Sequence, residues 1–176
     1  MIYFIRHGES EANLKHVFAG QKDDSPLTEK GIEQAKAEGL KIKDMGLSLD
    51  KVISSPLVRA FNTAKIVCET IGYDKEIEID PRITEYDMGT LTGTPTFEIS
   101  SKILVQAKDA ENPQAFDDRV NSFLKEWSKY DGNVLMVAHA GVGRIIETIK
   151  QGTNPELFYD LPPYPNASVI KLDWLK

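Results

Sequence analysis

The chain has 176 residues, of which 41% are hydrophobic and 27% are charged, and this composition predicts one soluble globular domain covering residues 1–176. The net charge of −6 and the pI near 5.1 argue against nucleic acid or a membrane as a partner, because polyanions bind to basic surfaces. No apolar stretch reaches the length of a signal peptide or a membrane span, so we expect a cytoplasmic protein. Cys68 is the only cysteine, which excludes an internal disulfide.

The first apolar stretch, residues 2–5, predicts a buried strand that ends in a basic pair followed by a glycine. Arg6 and His7 therefore lie where the strand leaves its sheet, and in open α/β folds ligands bind at that carboxyl edge. Arginine matches phosphate oxygens, histidine supplies a nucleophilic nitrogen that titrates near neutrality, and Gly8 allows the backbone to come close to an anion. A histidine at a sheet edge is also often only structural, so this segment alone leaves both interpretations open.

The rest of the chain alternates between helix and strand patterns without a repeat or a linker, and we interpret it as one α/β unit. Further strands are predicted at residues 49–54, 76–79, 133–138 and 165–172. Helices are predicted between residues 28 and 46, 56 and 72, 112 and 131, and 140 and 152. Residues 94–111 have the weakest pattern, which indicates a short amphipathic helix within a flap.

Two further basic residues follow predicted strands. Arg59 lies in the first turn of a predicted helix, where on position alone it would usually be a solvated surface residue. The most hydrophobic strand, residues 133–138, leads to His139, which is followed by Ala140 and Gly141. This repeats the arrangement at the start of the chain, with a buried strand, a histidine at the sheet edge and small residues after it. Two such placements in one chain are less readily explained by chance than either one.

Segments along nearly the full length of the chain resemble, in this order, those of the histidine phosphatase superfamily, the phosphoglycerate mutase-like enzymes. The similar segments are Arg6-His7-Gly8-Glu9-Ser10 with Asn13, Pro26-Leu27-Thr28-Glu29-Lys30-Gly31 with Gln34-Ala35, Ser54-Ser55-Pro56-Leu57 with Arg59-Ala60, Glu85 with Gly89 and Gly93, His139-Ala140-Gly141, and Asn166-Ala167-Ser168. The resemblance implies an α/β fold, a three-layer α/β/α sandwich with a mostly parallel central sheet.

The resemblance also implies a catalytic role for the polar residues in these segments. His7 would attack phosphorus and become phosphorylated, and Glu85 would handle the proton of the leaving group. The phosphoryl oxygens would be held by Arg6, Arg59 and His139. Together these groups would supply the neutralised charge, the nucleophile and the proton that cleavage of a phosphate monoester requires.

The remaining predicted site residues neighbour the catalytic groups. Contacts to substrate are expected from Gly8, Ser10, Asn13, Gly20, Gln21, Ala140 and Gly141. No metal and no other cofactor is expected, because arginines neutralise the phosphate charge and no carboxylate cluster has the spacing of metal ligands. Asp87 is a nearby alternative to Glu85 as the proton donor. The third histidine, His16, matches no catalytic segment and is interpreted as a loop residue.

The function that this resemblance implies is a phosphatase that hydrolyses the phosphate monoester of a small metabolite. One alternative is a phosphoglycerate mutase, although such enzymes carry extra basic residues after the glutamate and typically asparagine at the position of Gly141. Between residues 86 and 112 this chain has only Lys102 and Lys108 against several acids. A second alternative is a non-catalytic regulator that binds phosphate. The presence of all five polar residues that the resemblance makes catalytic argues against this alternative.

Overall fold

The structure is a computed structural model that describes residues 1–175, and it is built on a five-stranded sheet. The strands are β1 (Ile2–Arg6), β2 (Lys51–Ser54), β3 (Ile77–Ile79), β4 (Val134–Ala138) and β5 (Val169–Lys171). The helices are α1 (Glu11–Leu14), α2 (Glu29–Asp44), α3 (Val58–Ile71), α4 (Ser101–Gln106), α5 (Pro113–Trp127) and α6 (Ala140–Gln151). Short 3₁₀ helices cover Pro81–Ile83, Gly89–Leu91, Thr96–Glu98 and Pro155–Asp160.

The strand order is β3–β2–β4–β1–β5, and every neighbouring pair is parallel except β1 with β5. All residues of β4 are buried, as expected for an apolar strand with parallel neighbours on both sides. In the register between β1 and β4, Arg6 pairs with Ala138. His7 and His139 each follow that pair by one residue, so the sheet places the two predicted histidines at the same edge.

Helices cover both faces of the sheet. α2 and α3 pack on one face, and α5 and α6 pack on the other. Successive side chains of a strand point to opposite faces. The core on the first face includes Ile5, Ile42, Val52, Ala64, Val67 and Val137. The core on the second face includes Phe4, Ile53, Phe116, Phe123, Met136 and Ile145. These layers confirm the predicted three-layer α/β/α sandwich with a mostly parallel sheet.

Local capping sets the ends of the long helices. The side chains of Thr28 and Asn112 accept backbone N–H groups at the starts of α2 and α5, as predicted. Gly72 ends α3 with a left-handed backbone, at φ 76°, which also agrees with the prediction. Among residues 1–175, no helix is both long and apolar enough to cross a membrane.

Two features near the site differ from the prediction. The expectation that α3 begins at Pro56 was wrong, because Leu57 keeps an extended backbone and the first helical residue is Val58. The short helix α1 was not predicted, since four residues are too few to produce a helical pattern. It is held by a reciprocal cap, in which Ser10 and Asn13 each accept the other's backbone N–H.

Candidate active site

A cleft of about 430 Å³ lies at the carboxyl edge of the sheet, beyond the ends of β1 and β4. Most of the residues that the sequence predicted for the site line it. These are Arg6, His7, Ser10, Asn13, Gly20, Arg59, Glu85, Ala140 and Gly141. The other three predicted residues, Gly8, Gln21 and His139, lie beside the cleft and contact the residues that line it. Groups that are up to 135 residues apart in the sequence (Arg6 and Gly141) are thus brought to one site.

His7 is buried and held in one tautomer. Its Nδ1 is 2.7 Å from the carbonyl oxygen of Gly8, and since a carbonyl only accepts, Nδ1 must carry the proton. Burial lowers the pKa of His7 well below its usual value, and the charges of Arg59 and Arg6 lower it further. The ring is therefore neutral near pH 7, and Nε2 keeps a free electron pair that can act as a nucleophile.

Gly8 is required for packing against α2. A Cβ at this position would contact the backbone carbonyl of Gly31 in α2. The Gly8 N–H donates to the hydroxyl of Thr63 at 3.0 Å, and that hydroxyl donates to the carbonyl of Arg59 at 2.8 Å. The structure thus joins the turn after His7 to α3. The Gly8 N–H therefore already has a partner, and a contact of Gly8 with substrate stays a prediction.

Arg59 is buried, whereas its position in the sequence alone would indicate a solvated surface residue. Its Nη2 donates to the carbonyl of Gly20 at 2.8 Å, and its Nη1 donates to the carbonyl of Asp23 at 3.1 Å. The Asp24 carboxylate lies 3.8 Å from Nη1. Gly20 adopts a left-handed backbone, at φ 55°, which allows the loop to turn its carbonyl toward the guanidinium. Burial lowers the pKa of Arg59, although the guanidinium stays charged at neutral pH.

Arg6 supplies a second guanidinium, which is partly buried. Its Nη1 donates to the carbonyl of Tyr164 at 3.0 Å, whereas its buried Nε has no hydrogen-bond partner among the described residues. Burial lowers the pKa of Arg6 to about 10, while the nearby Glu85 raises it and Arg144 lowers it. A partly buried cation in a cleft favours the binding of an anion.

His139 packs against His7 at the base of the site. The ring centroids are 5.3 Å apart with an interplanar angle of 62°. Its Nε2 lies 2.7 Å from the hydroxyl of Ser55, and its buried Nδ1 has no partner within residues 1–175. Burial lowers the pKa of His139 well below its usual value, and the charge of Arg59 lowers it further. His139 is therefore neutral near pH 7 and can donate only one hydrogen bond.

The carboxylate of Glu85 is held at the start of α6. Its Oε2 accepts the N–H of Gly141 at 3.1 Å, and its Oε1 accepts the N–H of Tyr86 at 2.9 Å. Gln21 and Arg119 both donate to the Glu85 carbonyl, at 2.7 Å and 3.1 Å. The side-chain amide of Gln21, predicted to touch substrate, thus supports the backbone of Glu85. These contacts fix one carboxyl group in the cleft.

Asp87, the alternative proton donor, is placed differently. Its Oδ1 accepts the N–H of Gly89 at 2.9 Å, which turns the carboxylate into its own loop. Asp87 does not line the cleft, whereas Glu85 does. The geometry therefore favours Glu85 over Asp87 as the proton donor for a reaction in the cleft.

Several supporting residues were not identified from the sequence. Asn166 donates to the carbonyl of His7 at 2.8 Å and to Asn13 at 3.3 Å. The sequence placed Asn166 in a segment similar to the family, but without a role. Ser55 and Thr63 each bind a residue of the site through a hydroxyl group. Such hydroxyls have no sequence signal of their own, because serine and threonine occur throughout helices and turns.

His16 lies in a loop, as predicted, and it also lines the cleft. Its side chain is exposed, and its backbone has a φ of 54°, which is uncommon for a residue other than glycine. Arg144, on α6, lines the same cleft and was not predicted. The cleft is thus more cationic than the sequence alone indicated.

Sequence comparison connects the chain to a known family of enzymes. The model of the histidine phosphatase superfamily (branch 1) matches residues 2–176. A curated relative from Citrobacter koseri, "Probable phosphoglycerate mutase GpmB", is 34% identical over 163 residues, which cover 84% of this chain and 74% of that protein. The 2,3-bisphosphoglycerate-dependent phosphoglycerate mutase of Sinorhizobium fredii is 40% identical over 93 residues, which cover 52% of this chain and 44% of that protein.

Solved structures with the same fold include phosphatases. A candidate alpha-ribazole-5'-P phosphatase from Escherichia coli has a TM-score of 0.78 and 27% identity, covering 96% of this chain and 87% of that one. A mutant phosphoserine phosphatase from Entamoeba histolytica, in complex with phosphoserine, has a TM-score of 0.78 and 23% identity. The match covers 96% of this chain and 87% of that one. At 23% identity, the similarity to the Entamoeba structure supports only the shared fold. With a family model that spans nearly every residue, the chain belongs to the histidine phosphatase superfamily, in agreement with the resemblance seen in its sequence.

Proposed function

We propose that the protein hydrolyses phosphate monoesters of small metabolites through a phosphohistidine formed on His7. One observation carries this proposal: a neutral His7, with an unprotonated Nε2, lies near the guanidinium groups of Arg6 and Arg59 in a cleft that also contains a fixed carboxyl group. A phosphate monoester resists attack because its oxygens are negative, and Arg6 and Arg59 would neutralise that charge.

The first step would transfer the phosphoryl group to the enzyme. Nε2 of His7 would form a bond to phosphorus, while the ester P–O bond breaks and its electron pair stays on the leaving oxygen. Glu85 would donate its proton to that oxygen, so that an alcohol rather than an alkoxide departs. Protonated Glu85 would keep one oxygen free as acceptor for the Gly141 N–H during this step.

The second step would return the enzyme to its starting state. Glu85, now ionised, would accept a proton from water as that water attacks phosphorus. The P–N bond would break, and its electron pair would return to Nε2 of His7. The products are the alcohol and inorganic phosphate, and no oxidant, reductant or second substrate is needed.

A phosphoglycerate mutase is the second candidate, because the curated relatives cited above carry that name. Two observations favour hydrolysis. Lys102 and Lys108, the only basic residues between positions 86 and 112, do not line the cleft within the described chain. A Cβ at position 141 would contact Oε1 of Glu85, so the asparagine typical of mutases would require this carboxyl group to move from its position.

The test of the proposal is the release of inorganic phosphate from an activated aryl phosphate in the presence of excess chelator. We expect turnover that chelation leaves unchanged. Turnover that is lost on chelation and restored by a divalent cation would contradict the mechanism. A mutase would instead transfer label from a phosphorylated donor to phosphoglycerate faster than it releases phosphate to water. Absence of any turnover with retained phosphate binding would favour the non-catalytic regulator.

A further inference from the structure

Glu85 lies in a part of the chain that no helix or strand supports. The 3₁₀ helix Pro81–Ile83 ends two residues before it, and residues 84–88 have no regular secondary structure. An irregular backbone has no repeating hydrogen bonds of its own, so its polar groups need partners from elsewhere in the fold. The position of the proposed proton donor therefore depends on the side chains that bind this segment.

Arg119, on α5, binds this segment through three backbone carbonyls. Its Nη1 donates to the carbonyls of Arg82 and Thr84, both at 2.7 Å, and its Nη2 donates to the carbonyl of Glu85 at 3.1 Å. The planar guanidinium presents five N–H donors in a fixed arrangement, so one side chain can hold several carbonyls in one geometry. Arg119 itself is not one of the described residues that line the cleft.

The guanidinium of Arg119 is also fixed on its other side. Its Nε and Nη2 donate to the two carboxylate oxygens of Glu111, at 2.7 Å and 2.9 Å. The guanidinium lies over the ring of Phe116, 4.5 Å from the ring centroid. The side chains of Arg119 and Glu111 are only 19% and 16% exposed, so water weakens this bidentate pair less than it would at the surface.

Glu111 supports the residues that follow Glu85. Its carboxylate accepts the N–H of Asp87 at 3.3 Å, and its backbone N–H donates to the Asp87 carbonyl at 2.8 Å. The carbonyl of Glu111 accepts the hydroxyl of Tyr86. Arg119 thus binds the backbone up to Glu85, and Glu111 binds the two residues after it. One ion pair connects both parts of the segment to α5.

We propose that Arg119 is a positioning residue for the proton donor. With Glu111, it holds the backbone on both sides of Glu85 and thereby keeps the carboxyl group against the Gly141 N–H. This inference rests on the proposed function, in which Glu85 protonates the leaving oxygen. Without the guanidinium, three carbonyls would lose their partner and the carboxyl group would no longer be fixed.

The phosphate-binding groups should be affected less than Glu85. The hydrogen bonds of Arg119 in the described chain go to the carbonyls of residues 82, 84 and 85 and to Glu111, and none goes to Arg6, His7 or Arg59. A change at Arg119 should therefore reduce proton donation and leave the attack on phosphorus largely intact.

The kinetic test compares R119K with R82Q on an alkyl phosphate and an activated aryl phosphate. R119K keeps the charge, but one amino group cannot hold three carbonyls and both oxygens of Glu111. We expect kcat/KM to fall about tenfold or more on the alkyl ester and less than about threefold on the aryl ester, whose leaving group needs little protonation.

R82Q is the matched control. Arg82 also pairs with acids and lies over a phenylalanine ring, but in the described part of the chain its side chain donates only to other side chains. R82Q should therefore leave the ratio of the two kcat/KM values unchanged. A loss of the same factor on both esters in R119K would overturn the inference and make Arg119 a residue of general stability only.

The double variant shows whether Arg119 acts through Glu85. When R119K is added to Glu85→Gln, the ratio of kcat/KM for the alkyl ester to that for the aryl ester should stay as it is in Glu85→Gln alone. A further decrease of this ratio would mean that Arg119 affects the leaving group by a route other than Glu85, which also contradicts the inference.

Amide hydrogen exchange measures the position of Glu85 without turnover. The Gly141 N–H lies in the first turn of α6, where N–H groups have no partner within the helix, so its protection depends on Glu85. Its exchange should be several-fold faster in R119K than in the wild type and unchanged in R82Q. The Gly143 N–H, which donates to a backbone carbonyl at 3.0 Å, is the internal reference and should not change.

Exchange also keeps this inference separate from the proposed function. If the wild type hydrolyses neither ester, the proposed function fails, while exchange at Gly141 still decides whether Arg119 holds Glu85 in place. Equal exchange at Gly141 in R119K and in the wild type would overturn that role.

Discussion

The carboxylate of Glu85 accepts a hydrogen bond from the backbone N–H of Gly141, two residues after His139, at 3.1 Å. This contact joins the loop that carries the proposed proton donor to the helix that follows the second histidine. The acid and the two histidines therefore form one unit, although they come from three separate parts of the chain. The first predictions concern this unit.

Glu85→Gln should slow the hydrolysis of alkyl phosphates much more than that of an activated aryl phosphate. A departing alkoxide is strongly basic, so proton donation contributes on the order of a hundredfold or more, whereas an activated phenolate needs little help. The measurement is kcat/KM for both ester classes. Asp87→Asn is the matched control and should change neither class much, because Asp87 faces its own loop. An equal loss on both classes in Glu85→Gln would make Glu85 a binding or structural residue.

Gly141→Ala should reproduce much of the Glu85→Gln defect. The new Cβ would contact Oε1 of Glu85 and displace the carboxyl group. We expect a loss of about tenfold or more on alkyl esters, because proton donation by a misplaced acid is less efficient. The double variant should be no slower than Glu85→Gln, since both changes act on the same group. Additive losses in the double variant would show that Gly141 acts by another route.

Ser55→Ala should impair the site, whereas Ser54→Ala should not. The Ser55 hydroxyl lies 2.7 Å from Nε2 of His139, while the buried Ser54 hydroxyl donates only to the Ser55 carbonyl at 2.9 Å. Loss of the partner of a buried ring nitrogen costs about 1–3 kcal/mol. The free energy of unfolding, measured in urea, and kcat should both be lower in Ser55→Ala than in the wild type. Both should be restored in Ser55→Thr. Equal effects of the two alanine variants would contradict a specific role for Ser55.

The free energy of unfolding should decrease as the pH falls below about 6.5. The pKa values of His7 and His139 are lowered in the folded state, chiefly by burial, whereas in the unfolded chain they are near 6.5. The unfolded chain then binds more protons below this pH, so acid favours unfolding by up to about 1.4 kcal/mol per pH unit for each histidine.

His7→Gln checks the origin of this slope. The variant keeps a neutral polar side chain and removes one of the two titrating groups. Urea unfolding at several pH values between 5.5 and 6.5 should show a slope about half that of the wild type. An unchanged slope would mean that His7 is already protonated in the folded protein, and it would then be a poor nucleophile.

Much of the fold and of the site could be predicted from the sequence, because the residues concerned have local signals. The apolar strands before His7 and His139 predicted where the edge of the sheet lies, and capping residues such as Thr28 predicted where helices begin. The family segments brought Arg59 into the site, although its position alone indicated a solvated residue.

The remaining features depend on long-range contacts that no local pattern encodes. The burial of Arg59 results from loop carbonyls 36 and 39 residues before it in the chain. Gly141 lies against the carboxyl group of Glu85, 56 residues before it in the chain, and a Cβ there would displace that group. Arg144 has the spacing of an ordinary helical residue, and its place in the cleft, over the ring of Tyr159, appears only in the folded chain.

The phosphohistidine on His7 can be measured in a rapid-quench experiment with a phosphate ester that carries radioactive phosphorus. During turnover, the wild type should acquire a protein-bound label that is lost in acid and stable in alkali. His16→Ala, which alters the other histidine that lines the cleft, should acquire the same label and turn over at a similar rate. His7→Ala should acquire none and release no phosphate. A label that persists in His7→Ala, or equal losses of turnover in the two variants, would contradict the assignment of His7 as the nucleophile.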